Sequence, residues 1–248
     1  MKVEEINPYT KEGDKTEQVE EMFDSIAPAY DFMNNAMTLG LHRYWRNKAL
    51  KKALSHLSDK VNLKILDVAT GTGDVAFRLH NLRPEAKITG IDLSEGMLKI
   101  AREKLQKIPE NQQSLFAFGK ADSLDMPFHN ESFDLITVAY GVRNFSNLPQ
   151  GLKEMKRVLK PGGVLCIIEL SCPDGKITTP LYNLYSKKII PFTGKLMSGD
   201  NSAYSYLPKS IEACPQRGDM EALLRASGFR HVEWKSLTFG VVTYYIAL

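Results

Sequence analysis

Acidic residues gathered around a glycine turn are the feature of this sequence best placed to do chemistry. In Lys64-Ile65-Leu66-Asp67-Val68-Ala69-Thr70-Gly71-Thr72-Gly73-Asp74, an apolar run with β-branched residues feeds a Gly-x-Gly turn and then the helix-compatible Val75 to Leu79. Gly71 and Gly73 are free to take positive φ and to let a ligand approach the backbone, outside the carboxyl end of a strand, where open α/β sheets bind. Gly71-x-Gly73-x-x-Ala76 fits a dinucleotide fingerprint, and Asp92, after Lys87-Ile88-Thr89-Gly90-Ile91, stands where a ribose-binding carboxylate belongs. Two cofactors therefore compete for the loop, NAD and S-adenosylmethionine. A pyrophosphate would meet Asp67 just before the turn and Asp74 just after it, and like charges in a partly desolvated cleft repel by kilocalories. A sulfonium and an ammonium suit Asp67 instead, with Asp92 on the ribose, so the charge pattern favours S-adenosylmethionine.

Further candidates stand at later strand ends. Asp122 follows the run Ser114 to Gly119 and has two readings, a solvated turn acid or, beside Pro127-Phe128, a contact on the adenine side. Arg143 and Asn144 follow the buried run Phe133 to Ala139 and should face the cleft, because a sheet core does not tolerate them unpaired. Glu169 closes the run Val164 to Ile168 as a fourth strand-end acid.

The elements that must position these residues alternate strand and helix, which predicts an α/β fold with a doubly wound, mostly parallel sheet. Residues before Asp14 read as a frayed arm, and Val19, Met22, Phe23, Ile26 and Ala27 mark an amphipathic helix capped by Asp14 and Glu17 and broken by Pro28. Tyr30 to Asn35 and Thr38 to Trp45 read as a capping segment on the sheet edge or as a lid over substrate. Leu50, Ala53, Leu54 and Leu57 predict a second helix, Ser94 caps a third with Met97, Leu98, Ala101, Leu105 and Ile108 inward, and Leu148, Leu152, Met155 and Leu159 mark a fourth, stopped by Lys160-Pro161-Gly162-Gly163. Cys172 to Pro215 breaks the alternation as an insertion. A helix over Asp219–Ala226 and strands over Phe229–Trp234 and Gly240–Ala247, the last pair antiparallel, complete the chain. One domain over 1–248 is expected, with an N-terminal helical cap (1–60), a cofactor core (61–170), a substrate or lid insertion (171–218) and a C-terminal helix and strands (219–248).

Composition narrows the function class. With 248 residues and 43% hydrophobic content the chain can bury a substantial core, and a formal charge of +3 with bases spread among acids lacks the footprint of a nucleic-acid binder. Cys166, Cys172 and Cys214 show no metal-ligand spacing and are odd in number, so neither a metal nor a disulfide framework is expected. The acidic start and the lack of a long apolar run predict a cytoplasmic protein without a membrane span.

Two stretches carry a resemblance. Tyr30-Asp31-x-Met33-Asn34 with His42 and Trp45, and Arg157-Val158-Leu159-Lys160-Pro161-Gly162-Gly163 through Glu169-x-Ser171, together with Gly141-Val142-Arg143-Asn144, resemble the ubiquinone/menaquinone biosynthesis C-methyltransferases. Within the class I S-adenosylmethionine-dependent methyltransferases, this implies a Rossmann-like seven-stranded sheet. Thr38 stands where the family usually has Ser, and a serine contact seen in some members falls at Ala139. The resemblance places Thr72, Asp92 and the Asp122-Ser123 pair on the cofactor, completing a candidate set of Asp67, Gly71, Thr72, Gly73, Asp92, Leu93, Asp122 and Ser123. It implies methylation of a ring carbon of a prenylated hydroquinone, 2-demethylmenaquinol ahead of a ubiquinone-pathway ring or a small soluble acceptor; a binding protein that keeps the fold is the competing class. Methylation through a hydroquinone requires phenolate stabilisation, for which Arg143 is the fixed cation, while His42, Asp31 and Glu169 compete as proton acceptor. Tyr30, Asn34, Asn144, Glu169, Tyr204 and Tyr206 are the candidates to contact the ring, with packing as the alternative for the tyrosines and Asn34. Leu181, Leu184, Tyr185 and Lys188 recur at helical spacing within Pro180–Phe192, as a reversible contact with a membrane surface or as a buried lid helix. A homodimer is left open.

Overall fold

The computed structural model describes residues 2–9, 13–175, 178–180 and 201–248, with the side chains of the last stretch from residue 205. Its strands are β1 (Lys64–Val68), β2 (Lys87–Asp92), β3 (Phe116–Lys120), β4 (Phe133–Ala139), β5 (Leu159–Leu170), β6 (Val232–Leu237) and β7 (Val242–Ala247). They form one seven-stranded sheet in the order β3-β2-β1-β4-β5-β7-β6. The first five run parallel, and β7 lies antiparallel between β5 and β6. The strand order reverses between β1 and β4, which opens a crevice at their carboxyl ends.

Alternation explains why β1 is central. Leu66 and Val68 face one core with Ile136, Val138 and Leu165, while Ile65 faces the other with Leu135, Val164 and Leu50. The α-helices are α1 (Lys15–Ile26), α2 (Tyr30–Thr38), α3 (Leu41–Ser55), α4 (Asp74–Leu82), α5 (Glu95–Leu105), α6 (Glu110–Gln113), α7 (Leu148–Val158), α8 (Asn201–Ala213) and α9 (Gly218–Ala226), with short 3-10 turns at Val3–Glu5, Ala27–Ala29, Val142–Asn144 and Thr238–Gly240. Ser94 caps α5 as expected, its hydroxyl accepting from Met97 N–H at 3.1 Å.

Several expectations are corrected. The described part of the arm, residues 2–9, docks on the fold: Val3 is buried, and Lys15 Nζ donates to its carbonyl at 2.6 Å. Asp14 sits at the α1 N-cap without a side-chain cap bond. The aromatic stretch over 30–45 is two helices, α2 and the start of α3, joined by left-handed Leu39 and Gly40. Leu159 opens β5 instead of ending α7, and Lys160–Gly163 bulge from that strand between the Phe133–Leu159 and Leu135–Val164 pairings. Within the proposed insertion, α8 is a helix despite Pro208. The helical spacing read over 181–192 falls outside the described residues. No helix among the described residues is long and apolar enough to cross a membrane.

Candidate active site

The glycine turn closes β1 onto α4. Gly71 takes φ +57° and a side chain there would meet nothing within 4 Å, so this face of the loop is open. Gly73, at φ +81°, is required for a different reason: an added Cβ would lie 2.8 Å from the Phe77 ring. Gly71 lines the crevice, while Gly73 packs beneath it.

Asp67 is placed by register. β1 pairs Asp67 with Thr137 of β4, whose hydroxyl donates to the carboxylate at 2.6 Å, while Thr70 donates to the other oxygen at 2.5 Å. At 1% exposure Asp67 does not line the crevice, and burial, against these two donors, pushes its pKa up to about 6. The expectation that Asp67 faces a ligand's cationic end is therefore corrected: it braces the turn from below. Asp74 is also no free charge. It lies 2.8 Å from Lys104 Nζ and 2.9 Å from Arg46 Nη2; burial opposes its charge, but the two cations outweigh that and hold its carboxyl below the usual range. The repulsion that sequence alone assigned to Asp67 and Asp74 is thus largely neutralised, and Asp92 is the acid held against the turn itself. Its Oδ2 accepts from Gly71 N–H at 2.7 Å and its Oδ1 from Ser94 N–H at 3.0 Å, and burial raises its pKa against these donors.

Asp92, Leu93, Asp122 and Ser123 line a small cavity of about 70 Å³ beside Gly71. Ala139 lines it too, bringing only a methyl where some relatives are expected to have a hydroxyl. This cavity shares Phe23, Tyr30, Ala69, Gly71, Ala139 and Tyr140 with a larger one of about 560 Å³, walled mainly by apolar side chains such as Met33, Met37, Trp45, Leu170, Leu207 and Ile211. Thr72, Asn34, His42, Arg46, Arg143 and Tyr206 supply much of its polar lining. Ala69 and Tyr140, at the ends of adjacent strands β1 and β4, both hold left-handed φ, 51° and 60°, which costs about 1–3 kcal/mol each and places their side chains at the junction of the two cavities.

Arg143 and Glu169 form a buried ion pair, Nη1 to Oε1 at 2.9 Å, and the same nitrogen donates to the Tyr140 carbonyl. Burial opposes the guanidinium charge, and Glu169 leads the groups that more than offset it. Glu169 accepts from Leu170 N–H at 2.8 Å and lines neither cavity. Among the described residues, three buried side-chain polar atoms lack a hydrogen-bond partner; two of them, Tyr140 Oη and Arg143 Nε, belong to residues lining the large chamber. Leaving such groups unpaired costs about 1–3 kcal/mol apiece, which a ligand that accepts from them would recover. Tyr140 and Arg46 join the chamber without a clear mark in the sequence; the one signal for Tyr140 is its place between a buried strand and Gly141.

Asp31 does not face the chamber. Its carboxylate lies 2.6 Å from Lys104 Nζ and accepts from the Thr72 hydroxyl at 2.7 Å, tying α2 to the glycine turn and α5. His42 does line the chamber, with its tautomer fixed by a neighbour. The Thr38 hydroxyl spends its one proton on the Asn34 carbonyl at 2.6 Å, so at its 2.6 Å contact with His42 Nδ1 it must accept, leaving Nε2 with a free lone pair. Burial and Arg46 push this imidazole down to about 4. Nitrogen NMR should show His42 as the neutral Nδ1–H tautomer throughout pH 5–8; a folded-state pKa below the unfolded value means the neutral form is kept until pH falls toward about 4. Protonation between pH 6 and 7 would contradict this placement.

Tyr206 donates to Asn144 Oδ1 at 3.1 Å, joining α8 to the turn after β4. Tyr30 lines both cavities, its phenol pushed up by burial against a hydrogen bond with Asn34. Tyr204 lies on α8, and its side chain is outside the described residues.

A doubly wound sheet with this strand order, a glycine turn at the end of β1 and acids at the ends of the following strands define the Rossmann-like fold of the S-adenosylmethionine-dependent methyltransferases. The chain belongs to the ubiE/COQ5 methyltransferase family, whose model matches residues 11–248. It is 47% identical over 245 residues to a demethylmenaquinone methyltransferase of Bacteroides fragilis, covering 98% of this chain and 97% of that one. Its identity to the protein of the same name from Porphyromonas gingivalis is 43%, covering 99% and 98%. Among solved structures the fold is similar to that of the cyclase SpnF, at a TM-score of 0.66 and 17% identity over 94% of each chain. It is also similar to a SAM-dependent methyltransferase from Aquifex aeolicus, at 0.55 and 21% over 80% and 87%.

Proposed function

We propose that the protein methylates a ring carbon of a prenylated hydroquinone, 2-demethylmenaquinol, with S-adenosylmethionine as methyl donor. The observation that carries this reading is the joining of two unlike cavities at Tyr30, Gly71 and Tyr140: a small one that holds the carboxylates of Asp92 and Asp122, and a large, mostly apolar one with room for a ring and the start of a prenyl chain. The names of the relatives at 47% and 43% identity support the menaquinone substrate over a ubiquinone one.

When bound, S-adenosylmethionine supplies an electrophilic methyl group on a sulfonium. Asp92 holds the ribose, Leu93 and the Asp122-Ser123 pair border the adenine, and Thr72 supports the turn. In the large chamber the ring must be made nucleophilic, because a neutral quinone does not attack a sulfonium. Arg143 Nε and Tyr140 Oη donate to one ring oxygen, lowering the pKa of its hydroxyl and stabilising the phenolate that pushes charge onto the neighbouring carbon. His42 Nε2 accepts from the ring hydroxyl, and the developing phenolate raises its proton affinity toward that of the donor. Asp31 and Glu169 are withdrawn as proton acceptors, since each is locked in an ion pair away from the chamber. The ring's own hydrogen then leaves as a proton to solvent while His42 returns the hydroxyl proton to the ring oxygen, which restores the aromatic hydroquinone. Attachment to a membrane surface belongs to this reading, because the prenyl tail resides in a bilayer.

Incubating the protein with methyl-labelled S-adenosylmethionine and an extract of reduced lipid quinols should place label on the naphthoquinol ring. Label appearing only in water-soluble acceptors would contradict the proposal, and cofactor binding without any transfer would favour the binding-protein alternative.

A further inference from the structure

We infer that the hairpin formed by α2 and α3 docks tip-first on an anionic membrane surface, at the mouth of the large chamber. The inference rests on the prenylated-substrate reading and says where the lipid enters. Phe32 and Ala36, one turn apart on α2, and Leu39 in the turn that follows it are exposed, Phe32 and Leu39 to 61% and 88%. On α3, Leu41 and Tyr44 begin an outer stripe that continues one and two turns later as Lys48 and Lys51, all four exposed. The two apolar ends meet at the left-handed Leu39-Gly40 turn. Beside them, Phe239 stands 81% exposed in the Thr238–Gly240 turn, which Trp45 Nε1 ties to α3 through a 2.7 Å bond to Thr238. Of the seven exposed large apolar residues among those described, five therefore gather around one opening, whose rim includes Leu39, Leu41 and Thr238.

Charge selects the occupant. α3 contains no acid, and Arg43, Lys48 and Lys51 make no ion pair among the described residues, whereas Arg46 and Lys52 are paired with Asp74 and Glu233. An apolar tip backed by free cations is complementary to an anionic headgroup layer over hydrocarbon. A second copy of the chain fits poorly, because two-fold pairing would bring these cations against themselves.

Flotation with phosphatidylcholine vesicles, with and without phosphatidylglycerol, tests this on the full chain. Wild type should float with the anionic vesicles and be released by salt. Phe32→Gln/Tyr44→Gln/Phe239→Asn, with Asn chosen for the left-handed φ of 56°, and separately Lys48→Glu/Lys51→Glu, should each lower the bound fraction about tenfold. Methylation of a demethylmenaquinol with a truncated, water-soluble tail should stay at the wild-type rate in the apolar variant, showing that it is folded. Unchanged lipid binding in both variants, or none by wild type, overturns the inference. So does a loss of self-association on sedimentation without a change in flotation, which would make the patch a contact between copies. Wild type that floats but never methylates the soluble quinol would sink the functional reading and leave the docking surface standing.

Discussion

Arg143→Met should lose turnover and stability together, and the two losses should separate when Glu169 is changed as well. Removing the guanidinium strands the Glu169 carboxylate at 3% exposure, and breaking a buried ion pair from one side typically destabilises by about 3–5 kcal/mol. It also removes Nε, the donor left free for a ring oxygen, and loss of one preorganised donor to a developing oxyanion typically lowers the rate about 10²–10³-fold, or roughly 3–4 kcal/mol. In Arg143→Met/Glu169→Gln no buried charge is left unpaired, so the urea midpoint should recover much of its value. The single-turnover rate should not. Arg143→Lys should recover only part of the rate, because a compact ammonium cannot reach Glu169, the Tyr140 carbonyl and a ring oxygen in the geometry of the planar fork. A group that meets charge only as the phenolate forms should leave the Michaelis constant nearly unchanged. A variant that kept its rate but lost substrate affinity would make Arg143 a binding residue.

Asp92→Ala should abolish most cofactor affinity. In the protein, this carboxylate already accepts two backbone N–H groups, from Gly71 and Ser94, and so fixes the open face of the turn while offering lone pairs to a ribose. Two charged hydrogen bonds to the sugar at roughly 1.5–3 kcal/mol each correspond to an affinity loss of about 10²–10⁴-fold, before any loosening of the turn is counted. Calorimetry should find S-adenosylmethionine binding by wild type, no binding of NAD, and this drop in the variant. Tight NAD binding would reverse the cofactor assignment. With Asp67 sequestered and Asp74 neutralised, that control carries more weight than the sequence pattern suggested.

What sequence reveals here is position along an element; what it conceals is the partner across elements. The alternation of Ile65, Leu66 and Val68 and the buried run of β4 announced the central strands, and the rule that sheets bind at their carboxyl ends put Asp67, Asp92, Asp122 and Glu169 at one edge. Their partners come from afar. Thr137 reaches Asp67 only through the pairing of β1 with β4, Arg46 and Lys104 reach Asp74 from α3 and α5, and Arg143 and Glu169 meet from two different strand ends. Each of these contacts alters the chemistry assigned to an acid, and none is visible in local spacing. Helices are hidden where local composition argues against the tertiary outcome. Tyr30 to Trp45 is rich in aromatic and polar residues because one side lines a chamber and another meets solvent, and α8 tolerates Pro208 within a packed setting. The tautomer of His42 is hidden from the sequence as well, since it follows from where the single Thr38 proton goes.

The central claim, that the chamber serves a nucleophilic ring, is tested most directly by single-turnover methyl transfer to demethylmenaquinol under dithionite and to the oxidised quinone under otherwise identical conditions. The reduced substrate should be methylated in a burst equal to the enzyme present and the oxidised one not at all, because only the hydroquinone can form the phenolate that Arg143 and Tyr140 are placed to hold. Methylation of the oxidised quinone at a comparable rate would contradict the account.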